Sequence, residues 1–343
     1  MAEVSVNRAW RLRRHPVGAV VPGDLELVSE PVAPLRDGQA LVRTLVLSVE
    51  AASRIWMGHQ RAFMPPVGLG EMMRGVGVGE VVESRREDMK AGDIVAGFVG
   101  WQEFCCADDQ RLEAPLSVLP SPLPAPVSAF VGILGHTAIT AYLGVDFLQP
   151  RPGQTVVVSA AAGGVGSIAG QLAKLRGARV VGIAGGAEKC RYVTDDLGFD
   201  AAVDHRGDLG AQLDRACPNG IDVYFENVGG AVQQAVFPRL NDFARMVMCG
   251  MIAEYNDTSP RPGPNLGAVV RKRIKIQGFI VSGQRQRQGE FRAMAAPLVR
   301  AGQLKYREDI VAGLERAPEA FIGLLQGRNF GKLLVRLAAD PTR

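Results

Sequence analysis

The stretch Ser159-Ala160-Ala161-Ala162-Gly163-Gly164-Val165-Gly166-Ser167 has residue types and a spacing that imply chemistry. Ala160, Gly163 and Gly166 form an A-x-x-G-x-x-G series. Small residues at this spacing let the backbone turn tightly and approach a pyrophosphate, whose charge suits the free N–H groups and dipole of a helix N-terminus. Such a turn means little without a strand before it and a helix after it. Both are expected here: Gln154 to Ser159 reads as a buried strand, and Val165 to Leu175 as a helix with Ile168, Leu172 and Leu175 on one face. The turn therefore predicts a dinucleotide site.

The end of the following strand indicates which dinucleotide. An NAD site usually places an acid there, about 20 residues on, to bond the ribose 2′-hydroxyl. The segment Ile183-Ala184-Gly185-Gly186-Ala187-Glu188-Lys189-Cys190-Arg191 has no acid at the strand end. Gly185 and Gly186 leave room, while Lys189 and Arg191 bring positive charge, so a 2′-phosphate and NADP(H) are favoured. The alternative for the two cations is a solvated helix face. Among the tyrosines, Tyr224 falls within a strand. Tyr255, in Cys249-Gly250-Met251-Ile252-Ala253-Glu254-Tyr255, follows the fifth strand at its carboxyl end, where open α/β sheets bind ligands. It is the best-placed phenol for acid–base work, with a packing or turn role as the alternative. His15, His59, His136 and His205 are scattered without Cys or Glu at ligand spacing, which argues against a catalytic zinc. The sequence also lacks a G-x-S-x-G nucleophile elbow.

These residues need elements to position them. At ~100–200 residues per domain, 343 residues suggest two domains. Residues 1–125 alternate in short runs, such as Ala40 to Leu47, Gly77 to Glu83 and Ile94 to Phe98, which predicts a β-rich barrel or sandwich. Pro115, Pro120, Pro122, Pro124 and Pro126 mark the junction. Strands then alternate with helices: Arg179 to Ile183, Ala201 to Asp204, Asp222 to Glu226, Arg245 to Cys249 and Lys275 to Val281, with a helix expected over Glu188 to Leu197. That rhythm predicts a doubly wound parallel sheet. The end of the chain, Leu304 to Leu337, returns to strands and a helix that rejoin the first domain.

Formal charge is only +4, from 39 basic and 35 acidic residues, and it is evenly spread, so nucleic acid is not an expected partner. The densest basic run, Arg271 to Lys275, reads as a helix end. Five cysteines without a framework fit a reducing cytoplasm. Met1 to Trp10 lacks the apolar core of a secretory signal, and no ~18-residue apolar run suggests a membrane span. The expectation is a soluble cytoplasmic protein.

Several motifs resemble the zinc-independent medium-chain dehydrogenases/reductases, in the NADP-dependent alkenal, prostaglandin and leukotriene reductase branch. They run nearly end to end: Gly70-Glu71-Met72-Met73-Arg74-Gly75, Val157 to Gly163, Gly182-Ile183-Ala184-Gly185, Glu188-Lys189-Cys190-Arg191-Tyr192, Tyr224-Phe225-Glu226-Asn227-Val228-Gly229-Gly230 and Asn329-Phe330-Gly331-Lys332. The resemblance implies a GroES-like catalytic domain (1–125 and 300–343) around a Rossmann NADP-binding domain (126–299), commonly as a homodimer. It implies cofactor contacts at Gly163, Gly164, Val165 and Gly166 for the pyrophosphate, and at Gly186, Lys189 and His205 around the 2′-phosphate. Asn227, Cys249, Gly250, Met251, Ile252, Tyr255, Phe279, Ile280, Val281 and Asn329 would hold the ribose and nicotinamide. His205 stands where relatives usually carry Tyr; a surface histidine is the alternative.

The implied reaction reduces the C=C bond of an α,β-unsaturated ketone or aldehyde: hydride goes to the β-carbon, and a tyrosine donor, here Tyr255, stabilises the enolate. Two departures bear on the substrate pocket. The S-x-D-P-Y-M-R motif reads Ser48-Val49-Glu50-Ala51-Ala52-Ser53-Arg54, so Ala52 replaces the pocket tyrosine. His136 stands where relatives carry Met, as a second candidate proton donor or a change in pocket polarity. They point to a specialised biosynthetic reductase, with a quinone reductase or a non-catalytic small-molecule carrier as alternatives.

Overall fold

The computed structural model describes residues 6–59, 64–108, 116–281 and 284–342; Pro115 and residues 1–5 of the Met1 to Trp10 stretch lie outside them. The chain divides into two compact units, one of residues 1–132, 308–329 and 333–343, the other of 133–307 and 330–332. The first begins with strands β1 (Val6–Leu12), β2 (Leu25–Pro31) and β3 (Ala40–Ser48), then helix α1 (Ala52–Trp56). It continues through β4 (Val76–Ser84), β5 (Ile94–Phe98), β6 (Phe104–Ala107) and β7 (Ser117–Val118). The second unit starts with α2 (His136–Leu148), β8 (Thr155–Val158), α3 (Gly164–Leu175), β9 (Arg179–Ala184), α4 (Ala187–Arg191), β10 (Ala201–Asp204) and α5 (Leu209–Ala216). It goes on through β11 (Ile221–Glu226), α6 (Gly230–Val236), β12 (Leu240–Met248), α7 (Gly267–Lys272), β13 (Lys275–Gly278) and α8 (Arg285–Arg300). The chain ends with β14 (Glu308–Ala312), α9 (Ala317–Leu325) and β15 (Lys332–Arg336).

In the first unit, β3 and β4 pair antiparallel at the centre of a sheet ordered β14-β15-β3-β4-β5-β7 among the described residues, with β6 also on β3. Val335 at the end of the chain pairs with Leu47, so both chain ends share one sheet. They share one core too. Leu12, Val42, Leu47, Trp101 and Val335 are buried together, and the Phe321 ring of α9 meets Trp101 edge-on at 5.6 Å.

The second unit is built on a parallel sheet ordered β10-β9-β8-β11-β12-β13 among the described residues. Thr155 to Val158 are all buried, as a strand covered on both faces requires. The chain runs outward from β8 to β10 and then returns to β11 beside β8, so the order reverses between β8 and β11. Ligands of such sheets lie outside the carboxyl ends of the strands at that reversal.

Two expected elements come out differently. The helix expected over Glu188 to Leu197 is regular only through Arg191; from Tyr192 to Asp196 it widens, and Leu197 N bonds Tyr192 O at 3.1 Å. The Thr194 hydroxyl bonds the carbonyls of Cys190 and Arg191 at 3.3 and 3.1 Å, competing for acceptors that a regular helix would use. The sixth strand stops at Gly278, where its partner β12 ends at Met248, and Phe279 turns to pack its ring against Phe147 at 5.5 Å. The basic run at Arg271 and Lys272 forms the last turn of α7, where cations suit the helix dipole.

Phe321 tests the shared core of the first unit. Phe321→Ala should lower unfolding free energy by about 3–5 kcal/mol in denaturant melts. A loss below about 1 kcal/mol would show that α9 does not belong to that core.

Candidate functional site

The glycine turn joins β8 to α3. Ala160 adopts a left-handed backbone, φ 50°, and its carbonyl accepts the Gly163 N–H at 2.9 Å. Gly166 lies so close to that same carbonyl that a Cβ there would collide with it. Gly163 caps α3, and the first intrahelical bond runs from Ser167 N to Gly163 O at 3.1 Å. The N–H groups of Gly164, Val165 and Gly166 therefore have no acceptor within the helix. The last strand returns to this turn: Gly331 N bonds Ala162 O at 3.0 Å, and the Lys332 stem lies against Gly164.

Beyond β9, Gly186 caps α4 with φ 92°, a left-handed conformation that side chains disfavour. The His205 imidazole occupies the space where a side chain at Gly185 would stand, and the Arg206 guanidinium does the same at Gly186. Lys189 is half-buried on α4. An acid does stand close by, Asp204 at the end of β10, but its Oδ1 accepts the backbone N–H of Gly186 at 2.9 Å and of Arg206 at 3.0 Å. Those two N–H bonds, aided by His205 and Arg206, hold its carboxyl below the usual carboxylate range. It serves the turn. Arg206 went unnoticed in the sequence because only the fold brings it over Gly186, 20 residues earlier.

On the other side of the reversal, Asn227 follows β11. Its N–H bonds Ser159 Oγ and its side-chain Nδ2 bonds Ser159 O, both at 2.7 Å. Cys249 and Gly250 follow β12 and give their N–H groups to the Glu226 carbonyl at 2.9 and 3.2 Å. Burial pushes the Cys249 thiol up to about 12, with the Glu226 charge adding to it, so it stays protonated near neutrality. The turn from Met251 through Ile252 brings the Tyr255 hydroxyl over Gly250, where it accepts the Met251 N–H at 3.1 Å. Burial raises this phenol above its ordinary value. The oxygen is thus fixed as an acceptor from the backbone, and its proton remains available to a further acceptor.

Phe279, Ile280 and Val281 lie just past β13, and the Ile280 side chain is about half exposed. All these positions follow strands of one parallel sheet, so its topology gathers them along the carboxyl edge. His136 opens α2 in the same unit and is half-buried. Ala52, Arg54 and Asn329 belong to the other unit. Ala52 packs against that unit's core. Arg54 is buried and donates to the carbonyls of Gly18 at 2.9 Å and Pro16 at 3.4 Å; burial lowers its pKa. It braces the loop at 16–18.

A parallel sheet with a glycine turn at its reversal, in a chain whose two ends build a separate β-rich unit, defines the class of medium-chain dehydrogenases/reductases. Residues 8–114 match the family described as "N-terminal domain of oxidoreductase", and residues 164–300 the one described as "Zinc-binding dehydrogenase". Among the described residues, no three His, Cys, Asp or Glu side chains are grouped to hold a metal ion. The chain is 44% identical over 342 residues to the NADPH-dependent curcumin reductase of Escherichia coli (strain K12), covering 97% of this chain and 98% of that one. It is 38% identical over 337 residues to prostaglandin reductase 1 of Bos taurus, covering 96% and 98%. The crystal structure of CurA in complex with NADPH from Vibrio vulnificus superposes with a TM-score of 0.92 at 41% identity, covering 97% of this chain and all of that one. The chain belongs to the NADP-dependent, zinc-independent branch of this family, alongside the curcumin, prostaglandin and alkenal reductases.

The close approach at Gly166 has a direct test. In Gly166→Ala the new methyl meets backbone rather than a flexible side chain, so α3 must shift. The substitution should cost about 1–3 kcal/mol in thermal or denaturant melts. An unchanged melt would mean that the turn is looser than its packing implies.

Proposed function

We propose that the protein uses NADPH to reduce the C=C bond of α,β-unsaturated ketones and aldehydes. The observation that carries this reading is Tyr255, a phenol whose oxygen takes the Met251 N–H and whose proton is left to give, on the sheet edge that bears the glycine turn. The close packing of Gly166 on the Ala160 carbonyl fits the tight turn that seats a pyrophosphate at a helix N-terminus. NADPH, when bound, supplies the hydride. Gly163 to Gly166 seat its pyrophosphate through N–H groups and the α3 dipole. Lys189, His205 and Arg206 receive the 2′-phosphate, and Asn227, the Cys249 to Tyr255 turn and Phe279 to Val281 hold the ribose and nicotinamide.

Hydride arriving at the β-carbon sends an electron pair to the carbonyl oxygen of the substrate. The Tyr255 O–H bonds that enolate oxygen as its charge develops, and the α-carbon then takes a proton. Burial keeps the phenol neutral well past physiological pH, as a donor requires. His136 is a second polar group for the pocket. Ala52 stands where relatives carry a tyrosine, a change that suits a bulkier acceptor. We place the enzyme in the cytoplasm as a homodimer. Its five cysteines, none of them in a disulfide, suit a reducing compartment. All four residues of edge strand β13 are exposed, which suits pairing with a second copy.

A panel of small and bulky enones with NADPH, followed at the nicotinamide absorbance, is the decisive assay. Several enones should be consumed and should outcompete quinones. A quinone preference would make this a quinone reductase, and tight NADPH binding without turnover on any acceptor would make it a carrier. Tyr255→Phe should lower kcat about 100-fold while the Kd for NADPH stays within about twofold. Any alkaline loss of wild-type turnover to Tyr255 ionisation should begin at higher pH than for an ordinary phenol, because burial raises its pKa. Lys189→Ala should weaken NADPH about tenfold and leave NADH nearly unaffected.

A further inference from the structure

Glu226, the last residue of β11, is wholly buried. Its carboxylate accepts three hydrogen bonds: Ser159 Oγ to Oε1 at 2.8 Å, Val228 N to Oε1 at 2.7 Å, and Tyr224 Oη to Oε2 at 2.7 Å. None of these donors is charged. The Ser159 oxygen accepts the Asn227 N–H, and its single proton has Glu226 Oε1 at 2.8 Å as a nearer acceptor than the Phe225 carbonyl at 3.4 Å. Tyr224 is fully buried, and burial together with the Glu226 charge holds its phenol well above the ordinary value, so it too donates. Three donors thus converge on its two oxygens. An anion buried among neutral partners is costly to keep, which points to a use.

Its place suggests that use. Ser159 follows β8 and Glu226 ends β11, so their hydrogen bond spans the reversal of the sheet. The Glu226 backbone carbonyl also anchors Cys249 and Gly250. The charge therefore lies directly beneath the Asn227 and Cys249 to Tyr255 turns, which the proposed function assigns to the ribose and nicotinamide; the inference rests on that assignment.

We propose that Glu226 is a positioning anion that stabilises the oxidised cofactor relative to the reduced one. The nicotinamide ring is neutral in NADPH and gains a positive charge when the hydride leaves for the β-carbon of the substrate. A fixed negative charge in a low-dielectric interior attracts only the charged form. The carboxylate thus raises the reducing drive of the bound pair while bracing the turns that hold it. Bracing alone would affect the two forms of the cofactor equally.

Separate titrations of the full-length protein with NADPH and with NADP+, by calorimetry or fluorescence, distinguish the two roles. Glu226→Gln keeps the shape and removes the charge; it should raise the ratio Kd(NADP+)/Kd(NADPH) about fivefold. Glu226→Asp and Glu226→Asn form a second pair of equal length. The Asp variant should hold the wild-type ratio within about twofold, and the Asn variant should shift it as Gln does. If Glu226→Gln does not fold, the Asp/Asn pair decides. Equal weakening of both dinucleotides, or an unchanged ratio, in the charge-free variants overturns the proposal. Wild-type protein that binds neither dinucleotide would sink the cofactor assignment instead.

Discussion

The contact between Gly166 and the Ala160 carbonyl fixes how closely α3 can approach the end of β8, and most of the site is referenced to it. A non-glycine residue in a left-handed conformation costs about 1–2 kcal/mol, and Ala160 adopts it at the start of this turn. The turn is braced from both sides. Ser159, just before it, is tied to Glu226 and Asn227 across the sheet reversal. Ala162, just after it, takes the Gly331 N–H from the returning end of the chain. Backbone from three distant parts of the sequence thus converges on one strained corner. The corner holds its shape because each part satisfies polar groups of the others.

The fold class was legible in the sequence because its signals are local. A buried β8, an amphipathic α3 and the spacing of Ala160, Gly163 and Gly166 all lie within about 20 consecutive residues. Tyr255 could be placed at the carboxyl edge for a related reason, since it follows a strand in a parallel sheet. Strand order was not legible, and what depends on it stayed hidden. Nothing in the chain from Ser159 to Glu226 announces that β8 and β11 are neighbours, so the buried carboxylate and its three donors emerge only in three dimensions. One clue existed: an acid ending the otherwise apolar run Val223-Tyr224-Phe225.

Charge depends on partners that only the fold brings together. The Arg54 guanidinium is bonded to the Gly18 and Pro16 carbonyls, partners in a loop with no periodic signature. The second strand ends without an acid of its own, and Asp204 arrives there from the next strand. Its carboxylate is occupied by two backbone N–H groups, which no count of charges along the sequence reveals. The helix at 187–196 widened because one hydroxyl competes for carbonyls, an effect that depends on a single rotamer.

The occupied carboxylate of Asp204 has an evolutionary consequence. A lineage drifting toward NADH would need a new acid facing the ribose, and the adjacent positions resist one. Gly186 sits at φ 92°, and side chains at Gly185 and Gly186 would meet His205 and Arg206. An acid at either glycine would have to displace one of these neighbours. Coenzyme choice in this chain is therefore buffered against drift by backbone geometry, and switching it requires several coordinated changes.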